Sequence, residues 1–225
     1  MTAVEEADLH SAIKRRRVMQ MTGEIRKPLA VFMLAALTSA GLAGAAQPAN
    51  ADVSNSRGPR PSMQLPFPCE QKWRLNTWGH APALDMVREP QRMTKGSKLL
   101  APAAGTVVMS QTYTYAGNVI KINHGGGWYT VYLHLDSRSV KVGARVTQGS
   151  VLGFVGNTGM TKEGKKYTPH LHFETWYDKN SDGRTGWGGP GKERVPSVFN
   201  GVPYPGPQYH NVVSRNCGYG EIGPR

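Results

Sequence analysis

Thr168-Pro-His-Leu-His-Phe-Glu-Thr-Trp176 alternates polar and apolar residues from His170 to Glu174. A period of two is the signature of a β-strand, whose successive side chains leave opposite faces. His170 and His172 therefore project the same way, while Leu171 points into the core. Two imidazoles side by side on one strand face can share a metal ion and its water. Imidazole is a preferred zinc ligand, and catalytic zinc usually keeps three protein ligands and one open position. Paired surface histidines also occur on strands without any metal, so the spacing alone leaves both readings open. Glu174, two residues further on, falls on the same face, either as a partner that orients an imidazole or as a strand-end charge facing water.

Working outward, short β-forming runs dominate the chain: Thr106-Val-Val-Met-Ser-Gln-Thr112, Asn118-Val-Ile-Lys-Ile-Asn123, Trp128-Tyr-Thr-Val-Tyr-Leu-His134, Ser139-Val-Lys-Val142 and Ser150-Val-Leu-Gly-Phe-Val155. Turn signals separate them, among them Ala116-Gly117, the triple glycine after His124, Gln148-Gly149 and Asn157-Thr-Gly159. Several runs alternate, and nothing after residue 52 sustains a helical period over three turns. The expected fold is all-β, an antiparallel β sandwich or partly closed barrel. Val140-Lys-Val-Gly-Ala-Arg-Val146 and Thr147-Gln-Gly-Ser-Val-Leu-Gly153 resemble the turn pattern of biotinyl and lipoyl carrier barrels. A carrier needs an exposed lysine at a hairpin tip, and none stands in that setting.

The chain has 225 residues. Arg26-Lys27, the short apolar run from Pro28 to Leu37 and the ending Ala49-Asn-Ala51 have the three parts of a secretory signal peptide. Residues 1–51 are expected to be that targeting segment, with Met19 or Met21 as alternative starts. Its apolar stretch is too short and too rich in small residues for a permanent membrane span. Residues 52–66, rich in Pro and Ser, are expected to form a flexible leader. One domain is expected over 67–225, with a core at 75–177 and a Gly- and Pro-rich extension at 178–225. Removing residues 1–51 takes away six of the 27 Lys/Arg and four of the 15 Asp/Glu, leaving a net charge near +10. Outside the cell such charge favours anionic wall polymers. Nucleic acid is the rival partner, but no stacking or helix-in-groove motif supports it. Cys69 and Cys217 are the two cysteines and stand near the two ends of the domain, which in an oxidising compartment reads as one disulfide. Asp178-Lys-Asn180-Ser-Asp182-Gly183 matches the first half of a calcium loop, but Gly189 stands where the bidentate Glu is needed, so a polar turn is expected instead.

Further candidates lie upstream of the histidine pair. In Trp78-Gly-His80-Ala-Pro-Ala-Leu-Asp85-Met86, His80 and Asp85 could supply one nitrogen and one oxygen ligand. His134 sits inside an otherwise apolar run, where alone it would more often be a satisfied core histidine. From Leu75 to Glu174 the order of these motifs resembles the lysostaphin-type (LytM-like) zinc endopeptidases that cut peptidoglycan. The blocks that carry it are the His80…Asp85 pair, "APAAGTVV" from Ala101, "GNVIKINHG" from Gly117, "YTVYLHL" from Tyr129, "VKVGARVTQGSVLGFVGNTG" from Val140 and "HLHFE" from His170. The resemblance implies a barrel-sandwich hybrid with zinc held by His80, Asp85 and His172. It makes His134 and His170 catalytic, one as general base and the other as a hydrogen-bond donor to the oxyanion, without deciding which is which. The family's first motif commonly has three residues between His and Asp; here there are four, which is expected to bulge the loop.

The implied protein is a secreted, cell-wall-associated, monomeric zinc metalloendopeptidase acting on peptidoglycan peptides. The rival expectation is a catalytically silent relative that binds wall material or activates another hydrolase. His124 is expected to be a turn residue without a role, His210 is unassigned, and Trp78, Tyr113 and Tyr115 either wall a peptide groove or pack.

Overall fold

The structure, a computed structural model, describes residues 58–183, 185 and 193–217. The expected signal peptide at 1–51 lies outside these residues. Among the described residues fourteen strands follow one another: β1 (Lys72–Asn76), β2 (Leu84–Arg88), β3 (Lys98–Leu100), β4 (Gly105–Tyr113), β5 (Gly117–Gly125), β6 (Trp128–Leu135), β7 (Ser137–Arg138), β8 (Arg145–Val146), β9 (Val151–Phe154), β10 (Leu171–Tyr177), β11 (Arg194–Val195), β12 (Ser197–Phe199), β13 (Val202–Tyr204) and β14 (His210–Val213). The helical content described is the 3-10 turn Gln91–Met93 and a 3-10 residue at Glu193. Among the described residues no helix is long and apolar enough to cross a membrane.

The expected all-β antiparallel architecture holds. The main sheet runs β14-β1-β2-β10-β6-β5-β4-β8, with β11 added beside β10, and every pairing is antiparallel. A three-stranded sheet, β3-β9-β7, and the β12–β13 hairpin complete it. One face of the main sheet buries Leu75, Leu84, Met86, Ile120, Tyr132, Leu171 and Phe173 in the principal core, together with Leu99 and Leu152 of the small sheet. The opposite face carries a smaller cluster, Val119, Tyr129, Val131, Leu133 and Trp176. Strands buried on both sides read as continuous apolar runs. That explains why β6 is buried along its whole length.

Two expectations at the chain ends change. The flexible leader at 52–66 does not describe residues 58–66: Met63 and Leu65 are buried in the principal core, and Gln64 N–H donates to Pro102 O. The Pro and Ser content suggested a linker, but the apolar pair two residues apart inserts as a strand would. The extension at 178–225 was expected to be a Gly- and Pro-rich tail to the core. Its described part contributes four strands, and β14 closes the edge of the main sheet against β1. Cys69 and Cys217 form a disulfide, with Cα atoms 4.7 Å apart.

Candidate metal centre

Strand register builds the centre. β2 and β10 are antiparallel neighbours in which Asp85 and His172 are directly opposed. Opposed residues share a face, and here it is the face away from the principal core, since Leu84, Met86, Leu171 and Phe173 point inward. Asp85 Oδ1 lies 3.1 Å from His172 Nδ1 and 3.6 Å from His170 Nε2. Its Oδ2 lies 3.1 Å from His80 Nε2. His80 arrives from the turn between β1 and β2, where its N–H donates to Thr77 O and its carbonyl accepts from Ala83 N–H. The four-residue spacer is taken up by this turn. Ligand atoms of His80, Asp85 and His172 all lie within 4.8 Å of one another, the one such group among the described residues.

His134 reaches the site by breaking its own strand. At φ +62 it is in the left-handed region, uncommon for a residue with a side chain. The consequence is visible in its neighbours. Leu133 and Leu135, two apart, should share a face, yet Leu133 belongs to the smaller cluster and Leu135 to the principal core. The kink at His134 switches the alternation and turns the imidazole toward the metal-site face. Its ring centroid lies 4.9 Å from that of His170 and 6.0 Å from that of His172.

Hydrogen bonds fix the tautomers of both flanking histidines. His134 Nδ1 is 3.0 Å from Thr158 O, and His170 Nδ1 is 2.7 Å from Thr168 O. A carbonyl only accepts, so Nδ1 carries the hydrogen in each ring and Nε2 keeps its lone pair. Burial pushes the His134 imidazolium down to about 3, with His170 and His172 acting in the same direction. Burial likewise lowers His170, against the opposing pull of Asp85. Both are neutral proton acceptors at neutral pH. Burial also opposes charge on His172 and on Asp85, but the mutual hydrogen bonds outweigh it. They hold Asp85 well below the usual carboxylate range and, together with Glu174, carry His172 up to about 9.

The alternatives for Glu174 are now decided: it is fully buried, with Oε1 3.0 Å from His172 Nε2. Three contributors were not singled out as site residues from the sequence. Tyr167 lies against His134 with its ring tilted by 39° and centroids 4.1 Å apart, Thr158 anchors His134, and Arg194 pairs with Glu174 at 2.8 Å. Thr158 alone was near a marked turn. His210 lies on β14, packed edge-on against Tyr204. Tyr113 packs against the smaller cluster, while Trp78 is exposed beside Tyr209. At the suspected calcium loop, Asp178 accepts the Asp182 and Gly183 N–H groups, as a polar turn does.

Fold and site together define an antiparallel β domain with a His-Asp-His cluster able to hold a metal ion. Residues 90–183 match the model of peptidase family M23. His134, His170 and His172 fall inside the matched segment; His80, Asp85 and Arg194 fall outside it. Among similar proteins, the peptidoglycan DD-endopeptidase ShyA of Vibrio cholerae is 34% identical over 125 residues, covering 48% of this chain and 26% of that protein. The cell division protein DipM of Caulobacter vibrioides is 40% identical over 93 residues, covering 40% of this chain and 14% of that protein. The chain thus spans about a quarter or less of the length of these curated relatives. Similar solved structures include a putative M23 peptidase from Pseudomonas aeruginosa, 30% identical with a TM-score of 0.42 over 53% of this chain and 48% of that one. The catalytic domain of lysostaphin from Staphylococcus simulans is 25% identical with a TM-score of 0.38, over 60% of this chain and 90% of that one.

Proposed function

We propose that this chain is an exported, cell-wall-associated zinc endopeptidase that hydrolyses peptide bonds of bacterial peptidoglycan. The observation that carries the reading is the convergence of His80 Nε2, the Asp85 carboxylate and His172 Nδ1, with two neutral histidines beside them. Two imidazoles and one carboxylate suit catalytic zinc and leave one position open. Zinc bound there supplies a Lewis acid for the scissile carbonyl and lowers the pKa of water to roughly 7.

The chain's own residues supply the proton handling. His134 and His170 each keep Nδ1–H on a main-chain carbonyl and present an unprotonated Nε2. One accepts the proton of the attacking water and returns it to the leaving amine. The other also presents a lone pair at Nε2 and would donate to the carbonyl oxygen only after taking a proton from solvent there. The peptidoglycan substrate is supported by the M23 match and by the DD-endopeptidase among the similar proteins. The signal-like segment and the disulfide support export. A silent wall-binding relative would not need all five side chains in this arrangement.

The test is direct. The purified protein should hold about one zinc and release muropeptides from isolated walls, and a chelator should stop the release. His172→Ala should lose the metal. His134→Ala and His170→Ala should keep it while losing turnover by roughly 10²–10⁴-fold, the usual weight of acid-base catalysis. Wild-type zinc content in His172→Ala would sink the ligand set, and full turnover in both other variants would sink the catalytic pair.

A further inference from the structure

Granting the reading of His172 as a metal ligand, we infer that Glu174 and Arg194 form a positioning pair that fixes which nitrogen of His172 faces the metal. Glu174 is fully buried and surrounded by donors. Its Oε1 lies 3.0 Å from His172 Nε2 and 2.8 Å from the Arg194 guanidinium, and its Oε2 accepts the Trp176 indole N–H at 2.7 Å. A carboxylate removed from water is costly unless its oxygens are paired. Here both oxygens are engaged. Guanidinium and indole can only donate and the carboxylate accepts from them, so the hydrogen between Glu174 and His172 sits on Nε2. The nitrogen left for a metal is Nδ1, which already faces Asp85 at 3.1 Å.

Register explains why this works. Glu174 follows His172 by two residues on β10, so both side chains leave the same face. β11 pairs with β10 so that Arg194 is directly opposite Trp176, which carries its guanidinium over the indole at 5.1 Å and back onto Glu174. Arg194 lies beyond residues 90–183, so the segment after the family match completes the support of the site. Glu174 and Arg194 touch His172 and not the substrate; they position the ligand. Ligand histidines held in this way lose roughly 10–100-fold in metal affinity when the partner is removed.

The experiment uses the full chain, zinc competition against a chromophoric chelator, and ¹⁵N–¹H spectra of the histidine rings. Wild type should show His172 with a protonated Nε2 and a metal-bonded Nδ1. Glu174→Ala should bind zinc 10–100-fold more weakly and lose that single ring state. Glu174→Gln, which keeps an accepting oxygen, should restore most of the affinity, and Arg194→Gln should fall between Glu174→Ala and wild type. Because Glu174→Ala removes the carboxylate partner of the half-buried Arg194 guanidinium, the Glu174→Leu/Arg194→Leu double variant provides a fold-preserving check, with the same loss expected. Wild-type affinity and an unchanged His172 spectrum in Glu174→Ala or in the double variant would overturn the pair, and wild-type affinity in Arg194→Gln would remove Arg194 from it. Failure of the wild-type protein itself to bind zinc would instead overturn the underlying metal reading, and the pair with it.

Discussion

His124 was expected to be an idle turn residue, and its surroundings assign it a structural task. Its Nδ1–H donates to Ala104 O at 2.7 Å, and its Nε2 lies 2.8 Å from Thr130 Oγ1, which in turn meets Tyr132 O–H at 2.8 Å. With a main-chain acceptor on Nδ1, the neutral ring accepts the Thr130 hydroxyl hydrogen on Nε2, and every group in the chain is satisfied. Protonation would force the Thr130 hydroxyl to turn from donor to acceptor and leave its hydrogen without this partner. Burial accordingly pushes the imidazolium down to about 4, only partly offset by the Ala104 carbonyl. A folded pKa below the unfolded value near 6.5 means that the unfolded chain binds the proton first. The stabilisation is therefore complete above pH 6.5 and is lost as pH falls toward 4. Urea midpoints measured across that window should decline in wild type, and the decline should be shallower in His124→Gln. Parallel curves for the two proteins would show that His124 does not couple stability to pH.

At the scale of elements, β6 is the strand on which the site turns, and its kink is held from outside. His134 N–H donates to Ala116 O, Thr158 N–H donates to His134 O, and Thr158 Oγ1 bridges Leu135 O and Asn118 N–H. Gly117 makes this possible. It sits at φ +65, and a Cβ there would collide with the Thr158 backbone and hydroxyl. Gly117→Ala should cost about 1–3 kcal/mol from the left-handed backbone alone, with the collision adding to it. It should also depress turnover more than zinc binding, because β2 and β10 carry Asp85 and His172 independently of this turn. Thermal melts and zinc titration check both halves; an unchanged melting temperature would mean the turn adapts freely. These particulars show where sequence legibility ends. Alternation in Leu84-Asp85-Met86 and Leu171-His172-Phe173 revealed which side chains leave the core, because a regular strand converts spacing into direction. It misdirected at His134, where a left-handed residue reverses the alternation without any glycine or proline to announce it. Tyr167 and Arg194 were invisible for another reason: they reach the site across loop and register distances that no local period encodes.

The described domain is closed where its first and last segments meet. Ser214 Oγ donates to Phe67 O, Asn216 Nδ2 donates to both Leu65 O and Ala101 O, and Glu70 N–H donates to Ser214 O. Phe67 stacks on Trp73 of β1, and the Cys69–Cys217 disulfide joins segments 148 residues apart. A cross-link over so long a loop removes much of the unfolded chain's freedom, and chain-entropy estimates give an upper figure of about 5 kcal/mol. For a domain of this size each 1 kcal/mol shifts the melting temperature by roughly 2–4 °C. Reduction, or Cys69→Ser/Cys217→Ser, should therefore lower the melting temperature by up to roughly 10–20 °C. Zinc stoichiometry at room temperature should not change, because Asp85 and His172 are held by the β2–β10 register and not by the termini. Calorimetry with and without reductant measures the first effect and metal analysis the second. A reduced protein that melts like the oxidised one would show that the buried Leu65, Phe67 and Asn216 contacts close the domain without the covalent bond.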